Sequence, residues 1–334
     1  MISIVIPIYN EQEVLPLLHD SIHATMDSLG EPWEVVYVND GSRDRSLEIL
    51  LNLRREDSHV VVVELSRNWG HQAALTAGMA EACGNAVVLM DGDMQDPASV
   101  ILDMVREWKA GAEVVLAQRR SRADRGLRGL MFRGFYKVLG ALSDFPIPLN
   151  AGIFGLLDRK AVDAVLALSE SNRYLPGLRA WVGFKTATVY YERAARAAGE
   201  PKQSFFKLLR YGLDAIFSFS YKPLRLSLTM GMCVAAFAML YGFGLLMCRI
   251  FGVGMFGLPV VDGYTTTIVA ILFLGGVQMI SVGILGEYIG RIYDEVKRRP
   301  LYLVSKVHHG ESHVPIPGPD SRVIFTNNTT NVTV

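Results

Sequence analysis

The chain is poor in cysteine: Cys83, Cys233 and Cys248 have no metal-ligand spacing and cannot all pair, so a disulfide framework is not expected and a reducing compartment fits. An excess of one charge is also missing. Thirty-three Lys and Arg balance 33 Asp and Glu, which removes any global electrostatic case for nucleic acid as a partner. No G-x-G-x-x-G follows a strand in the N-terminal part and no G-x-x-x-x-G-K-[ST] occurs, counting against dinucleotide oxidoreductases and P-loop NTPases. The opening "MISIVIPIYNE" lacks a basic n-region and a small-residue cleavage site, and is read as a first strand and not a signal peptide.

Apolar residues are plentiful. They make up 50% of the 334 residues, and mean hydropathy is +0.25, high enough to look for a membrane part. From Met1 to about Ala117, short β-rich runs alternate with helical periodicity, the signature of βα units. The expected strands are Ser3–Ile8, Glu34–Val38, Val60–Leu65, Ala86–Met90 and Glu113–Ala117. Helices are expected near Gln12–Ser28, Arg43–Glu56, His71–Cys83 and Pro97–Lys109. Strands this apolar suit a parallel sheet covered on both faces, and ligands then bind beyond the carboxyl ends of the strands.

Three polar clusters fall at those ends: "PIYNE", "NDGS" and "DGDMQD". Asp91 and Asp93 are one residue apart, and two like charges that close repel unless a cation or a metal-bound phosphate lies between them. Tyr9 can stack on a flat base; Glu11 and Asp40 can accept hydrogen bonds from a base or sugar, and Asp91 can do so from a ribose hydroxyl. Asp93 and Gln95 offer hard oxygen ligands for Mg²⁺ or Mn²⁺ bridging a diphosphate. Together the clusters describe a site for a nucleotide diphosphate.

The C-terminal third differs in kind. Leu226–Phe251 carries one charge, Arg249, and Tyr264–Gly286 carries none; each is long enough to cross a ~30 Å hydrocarbon core, so two transmembrane helices are expected. Lys202, Lys207, Arg210, Lys222 and Arg225 precede the first, and Arg291, Lys297, Arg298 and Arg299 follow the second. By the positive-inside rule both flanks, and the nucleotide domain with them, are cytoplasmic. Phe205, Leu208, Leu209, Leu213 and Ile216 share one helical face, which predicts a helix lying in the membrane interface. The end of the chain, with its N-x-T triplets, reads as a flexible terminus.

The motifs "SIVIPIYNE", "VNDGSRDRS", "LSRNWGHQAALTAGM", "MDGDMQDP", "GLRAWVGF" and "RAAGEPKQS", followed by two apolar runs, resemble the polyprenyl-phosphate glycosyltransferases of glycosyltransferase family 2. Within that family they are most similar to the bactoprenol glucosyltransferase group related to dolichyl-phosphate mannose synthase. The resemblance covers about Met1–Arg299. It implies an α/β GT-A catalytic domain with a Rossmann-like, mainly parallel sheet over residues 1–200, an amphipathic interfacial region at 201–224, a two-helix transmembrane domain at 225–290 and a flexible cytoplasmic tail at 291–334.

The same resemblance implies inverting transfer of a hexose, with UDP-glucose the favoured donor, onto a polyprenyl phosphate, at the cytoplasmic face of a bacterial inner membrane. Pro7, Tyr9, Glu11, Asp40 and Asp91 would hold the nucleotide; Asp93 and Gln95 would hold the metal and diphosphate. Arg119 and Arg133 are candidates for the lipid phosphate, and Arg193, Arg196 and Lys202 for a basic loop near donor and acceptor. Homo-oligomerisation is left open.

The chain departs from the family where many relatives read "AGDFRLLDR": here the run is "AGIFGLLDR", so an acidic and a basic position are Ile153 and Gly155. This leaves a non-catalytic nucleotide- or lipid-binding relative as the alternative. A processive polysaccharide synthase would want a Q-x-x-R-W motif and more spans.

Overall fold

The structure, a computed structural model, describes residues 1–119, 151–170, 173–192, 222–251 and 264–309. These fall into two compact units: an α/β unit that includes everything before residue 193 together with 298–309, and a helical unit of 222–251 and 264–297.

The α/β unit opens with β1 (Ile2–Ile8), α1 (Leu15–Leu29), β2 (Trp33–Asn39), α2 (Ser46–Glu56), β3 (Val60–Leu65), α3 (His71–Glu81), β4 (Ala86–Leu89) and α4 (Val100–Lys109). It continues with β5 (Val114–Arg119), β6 (Ala151–Asp158), α5 (Arg159–Ala167), α6 (Leu175–Trp181) and β7 (Thr186–Tyr191), and closes with β8 (Val304–His308). Among the described residues the strands form one sheet in the order β7-β5-β6-β4-β1-β2-β3-β8. Every residue of β1 and β2 is buried, because helices cover both faces. Ile2, Ile4, Ile6 and Ile8 join Leu15, Leu18 and Ile22 of α1 in the main core, each fully buried side chain contributing about 1.5–3 kcal/mol.

The five expected strands are all present within a residue or two of their predicted ends. The sheet is mixed, however. Parallel pairing holds for β1 with β2 and β4, β2 with β3, and β5 with β7. β6 is inserted antiparallel between β4 and β5: it starts opposite the carboxyl end of β5, with Ala151 paired to Gln118, and so runs back along it.

The second departure concerns the expected tail at 291–334. Its first residues continue a helix to Val296, and Val304–His308 pairs antiparallel with β3. The physical reason is the edge of β3, whose unpaired backbone groups β8 covers. His308 reaches Glu64, and Arg54 donates to the His309 carbonyl. The predicted interfacial helix at 201–224 and the extreme C-terminus lie, apart from 222–224, outside the described residues.

The helical unit consists of α7 (Lys222–Phe251) and α8 (Tyr264–Val296), with Ser227 Oγ donating to Ser281 Oγ at 2.8 Å. Large apolar side chains point outward: Phe237 is 71% exposed, Met239 76% and Met279 72%. Among the described residues, Phe273–Val296 is long and apolar enough to cross a membrane, and Ser227–Tyr241 is a shorter apolar stretch.

Candidate functional site

The loops after β1 and β2 are tied together by their own side chains. Asn10, in the left-handed region at φ 57°, donates its backbone N–H to Ser42 Oγ and accepts from the Arg43 N–H at 2.8 Å. Glu11 N–H donates to Ser46 Oγ at 3.0 Å, and Gln12 Oε1 accepts from the Arg45 N–H. Burial works to raise the Asp44 carboxyl pKa, but hydrogen bonds from Ser46 and Gln12 outweigh it and the net shift is downward. Gly41 makes the turn of "NDGS": its φ is +65°, and a Cβ there would lie 2.6 Å from the backbone of Arg67 and Asn68.

Asp40 is 3% exposed, and its two carboxylate oxygens accept from the backbone N–H groups of Trp69 (2.7 Å) and Gly70 (3.0 Å). Its first task is therefore to hold the loop that enters α3. That loop delivers His71, whose Nε2 lies 2.9 Å from Asp91 Oδ1. After β4 the chain turns sharply: Asp93 Oδ1 accepts from the Gln95 N–H at 3.1 Å, and Met94 between them sits at φ 54°.

These segments enclose a cavity of about 380 Å³. Pro7, Tyr9, Glu11, Asp40, Asp91 and Asp93 all line it, so the structure brings together six of the residues predicted from sequence. Asn68 and His71 line it as well and were not anticipated. The motif containing them was visible; a histidine at the first helical residue directly after a glycine was the available signal. Gln95 is not among the lining residues. It is 5% exposed, and its backbone closes the turn beneath Asp93.

Arg119 ends β5 and is held from behind. Its Nε donates to the Tyr191 hydroxyl at 3.2 Å, and that hydroxyl donates to Asp96 Oδ1 at 2.5 Å. Asp96 is 2% exposed. Burial, and then the bond to Asp96, push the Tyr191 hydroxyl pKa up to about 12, so it stays a donor. Neither Asp96 nor Tyr191 carried a sequence signal for this role. Arg133, Arg193, Arg196 and Lys202 lie outside the described residues.

The departure at Ile153 and Gly155 has a structural counterpart. Arg179 of α6 is buried and donates to the carbonyls of Gly152 (3.0 Å) and Ile153 (3.3 Å), while its Nε has no hydrogen-bond partner. Burial lowers its pKa to about 10. A Cβ on Gly155 would stand 2.9 Å from Arg179 Nη1 and 2.6 Å from the Val115 carbonyl. Glycine at 155 thus leaves room for a guanidinium arriving from another element.

Among solved structures, glucosyl-3-phosphoglycerate synthase from Mycobacterium tuberculosis, determined with Mn²⁺, UDP-glucose and phosphoglyceric acid, is 20% identical with a TM-score of 0.45; the match covers 65% of this chain and 77% of that one. Likeness at that level says nothing about this chain's ligands. Sequence relatives are much nearer. The prophage-derived bactoprenol glucosyl transferase of Shigella flexneri is 41% identical, with 92% of this chain and 99% of the relative covered. The prophage bactoprenol glucosyl transferase homolog of Escherichia coli K12 is 40% identical over the same shares, 92% and 99%. An uncharacterized glycosyltransferase of Bacillus subtilis is 42% identical, covering 91% and 93%. Residues 3–166 match the profile of glycosyl transferase family 2 and residues 222–292 that of the GtrB C-terminal hairpin. The chain is therefore a glycosyltransferase of family 2, with a GT-A α/β domain joined to a GtrB-type hairpin.

Proposed function

We propose that this protein transfers a hexosyl group, glucose by preference, from a nucleotide diphosphate sugar to a polyprenyl phosphate at the cytoplasmic face of a bacterial inner membrane. The observation that carries the reading is the convergence of three strand-end clusters on one cavity, with an aromatic ring and several carboxylates around it. A relative named a bactoprenol glucosyl transferase and another named a homolog of one, matched over nearly their whole length, support the lipid acceptor.

The chemistry follows from charge. The base and ribose suit Tyr9, Glu11 and Asp91, with Asp40 and His71 fixing the wall against which they sit. The lining carboxylates are hard oxygen donors, which fit Mg²⁺ or Mn²⁺; Asp93 would hold the ion, and the Gln95 N–H keeps the Asp93 carboxylate in place. When bound, such an ion offsets the negative charge of the diphosphate. The acceptor phosphate has a second pKa near 6 and needs little deprotonation at neutral pH. Its oxygen attacks the anomeric carbon as the bond to the diphosphate oxygen breaks, inverting the configuration. Bringing two anions together is the harder task, and Arg119, backed by Tyr191, faces it. Arg133, Arg193, Arg196 and Lys202 are assigned to the same task.

The membrane part rests on exposed apolar helices and on connectivity. A helix apolar all round suits lipid. A single crossing within 222–296 would put β8 and β3 on opposite sides of the bilayer, yet they pair. That favours two crossings, with both flanks cytoplasmic in accord with their Lys and Arg. The reading is tested with purified protein, labelled UDP-glucose and undecaprenyl phosphate, with and without Mn²⁺. Metal-dependent label in the lipid fraction is expected. Nucleotide binding with no transfer to lipid, for this or other nucleotide sugars, would favour the non-catalytic alternative motivated by Ile153.

A further inference from the structure

A second group of ionisable side chains lies at the opposite end of the strands from the cavity. His19 and His23 are on α1, Asp57 follows α2, and His59 immediately precedes β3. Three imidazoles therefore surround one carboxylate. Asp57 Oδ2 is buried and makes no hydrogen bond, yet lies 3.3 Å from His19 Nε2 and 3.7 Å from His23 Nε2. The other oxygen, Oδ1, accepts from the His59 backbone N–H at 2.8 Å and is 2.7 Å from His59 Nδ1.

An ordinary ion pair accounts for one of these histidines, not for their convergence. Three protonated imidazoles around a single carboxylate would repel one another. Imidazoles that converge on a carboxylate are a metal-ligand set. One donor atom each from His23, Asp57 and His59 lie within 4.8 Å of one another. Donors in a tetrahedral site with bonds of about 2.0–2.2 Å are roughly 3.3 Å apart, so side-chain rotation closes the difference.

The surroundings also fit. His23 Nδ1 is 3.0 Å from Asp27 Oδ2, which turns Nε2 toward Asp57, the arrangement that orients metal-binding histidines. Trp33 stacks on His59 with a 4.2 Å centroid separation and a 3° interplanar angle, fixing that ring. His19 Nδ1 pairs with the Tyr37 hydroxyl at 3.2 Å, leaving its Nε2 facing the same carboxylate.

We infer that His23, Asp57 and His59 form a second cation site, separate from the substrate cavity, that takes a divalent d-block ion of the zinc type. Two imidazoles and one carboxylate leave a fourth position for water, and the ion would link α1 to the corner between α2 and β3. His19 acts as a positioning residue for Asp57.

The test uses the full chain, purified in detergent and stripped with a chelator, in excess Mg²⁺ so that hard-oxygen ligands in the cavity are occupied. Co²⁺ and Zn²⁺ are titrated separately. One equivalent of Co²⁺ should bind with the visible absorption of a four- or five-coordinate, imidazole-ligated ion, and Zn²⁺ should displace it and raise Tm. Asp93→Ala should leave this signal intact, whereas His23→Gln or His59→Gln should weaken binding on the order of 100-fold. The Co²⁺ spectrum of the unaltered protein reads the ligands directly, so a variant that fails to fold does not remove the test. Absence of those absorption bands at saturating Co²⁺, or their persistence in a folded His23→Gln/His59→Gln double variant, overturns the site.

Discussion

The hydroxyl of Tyr191 donates to the buried carboxylate of Asp96 at 2.5 Å, joining the last residue of β7 to the turn after β4. The same hydroxyl accepts from Arg119, whose Nη2 is 3.8 Å from Asp96. Without the hydroxyl, nothing in this trio keeps Arg119 from closing on Asp96. Tyr191→Phe is therefore expected to lower kcat about 10- to 100-fold with a smaller change in the donor KM, and to cost about 1–3 kcal/mol of stability from the lost bond to a charged group. Steady-state kinetics alongside thermal melting separate the two effects; a lower Tm with unchanged kcat would remove Tyr191 as the positioner of Arg119.

Asp93→Ala is expected to abolish transfer and metal-dependent binding of nucleotide diphosphate, since the lost carboxylate leaves the diphosphate charge poorly offset. Calorimetric titration of UDP with and without Mn²⁺ reads this directly. Unchanged metal-dependent turnover in the variant would exclude Asp93 as the ligand.

The part of the sheet that was legible in the sequence is β1 to β5, whose residues are mostly buried. β1 to β5 are rich in Val, Ile and Leu, and the loops after β1, β2 and β4 carry Tyr9, Asp40, Asp91 and Asp93, which the fold gathers around one cavity. The illegible part has physical causes. β6 is apolar but contains two glycines, and its antiparallel insertion depends on pairing between distant segments that periodicity does not encode. β7 alternates weakly, and β8 is a five-residue edge strand after a long interruption. Asp96, Tyr191 and Arg179 gain their meaning from contacts between residues 26 or more positions apart, which local sequence does not encode.

Ile153 and Gly155 are expected to respond differently to substitution. An Arg at 155 would meet the Val115 carbonyl and the Arg179 guanidinium, so Gly155→Arg should unfold or severely destabilise the domain and restore nothing. Ile153 shares a small cavity with Arg179, so Ile153→Asp places a carboxylate beside a buried cation that has an unsatisfied Nε. That variant should fold and alter the transfer rate by less than about tenfold, roughly 1.4 kcal/mol, because an ionised phosphate nucleophile needs little help from a base. Thermal melting and initial rates on the two single variants decide it; a large gain in rate for Ile153→Asp would show that the acid is needed.

The pairing of β8 with β3 sets a topological condition on the hairpin. Val62 pairs with His308 and Val63 with Val307, so the chain after residue 297 must end on the same side of any membrane as the domain before it. An odd number of crossings between Lys222 and Val296 is incompatible with that ladder. Reporter fusions at the N-terminus and beyond His308 should both be cytoplasmic, and a reporter inserted between 252 and 263 should lie on the opposite side. Ending the chain after Arg299 removes the strand that covers the β3 edge; the shortened protein should keep the two proposed crossings, melt at a lower temperature and aggregate more readily through that edge. Lys306→Pro, which removes the backbone N–H opposite Glu64 in the ladder, should reproduce part of the loss in the full-length chain. A reporter beyond His308 found outside the cell would mean that the ladder cannot form, and would defeat both the hairpin assignment and the place of β8 in the fold.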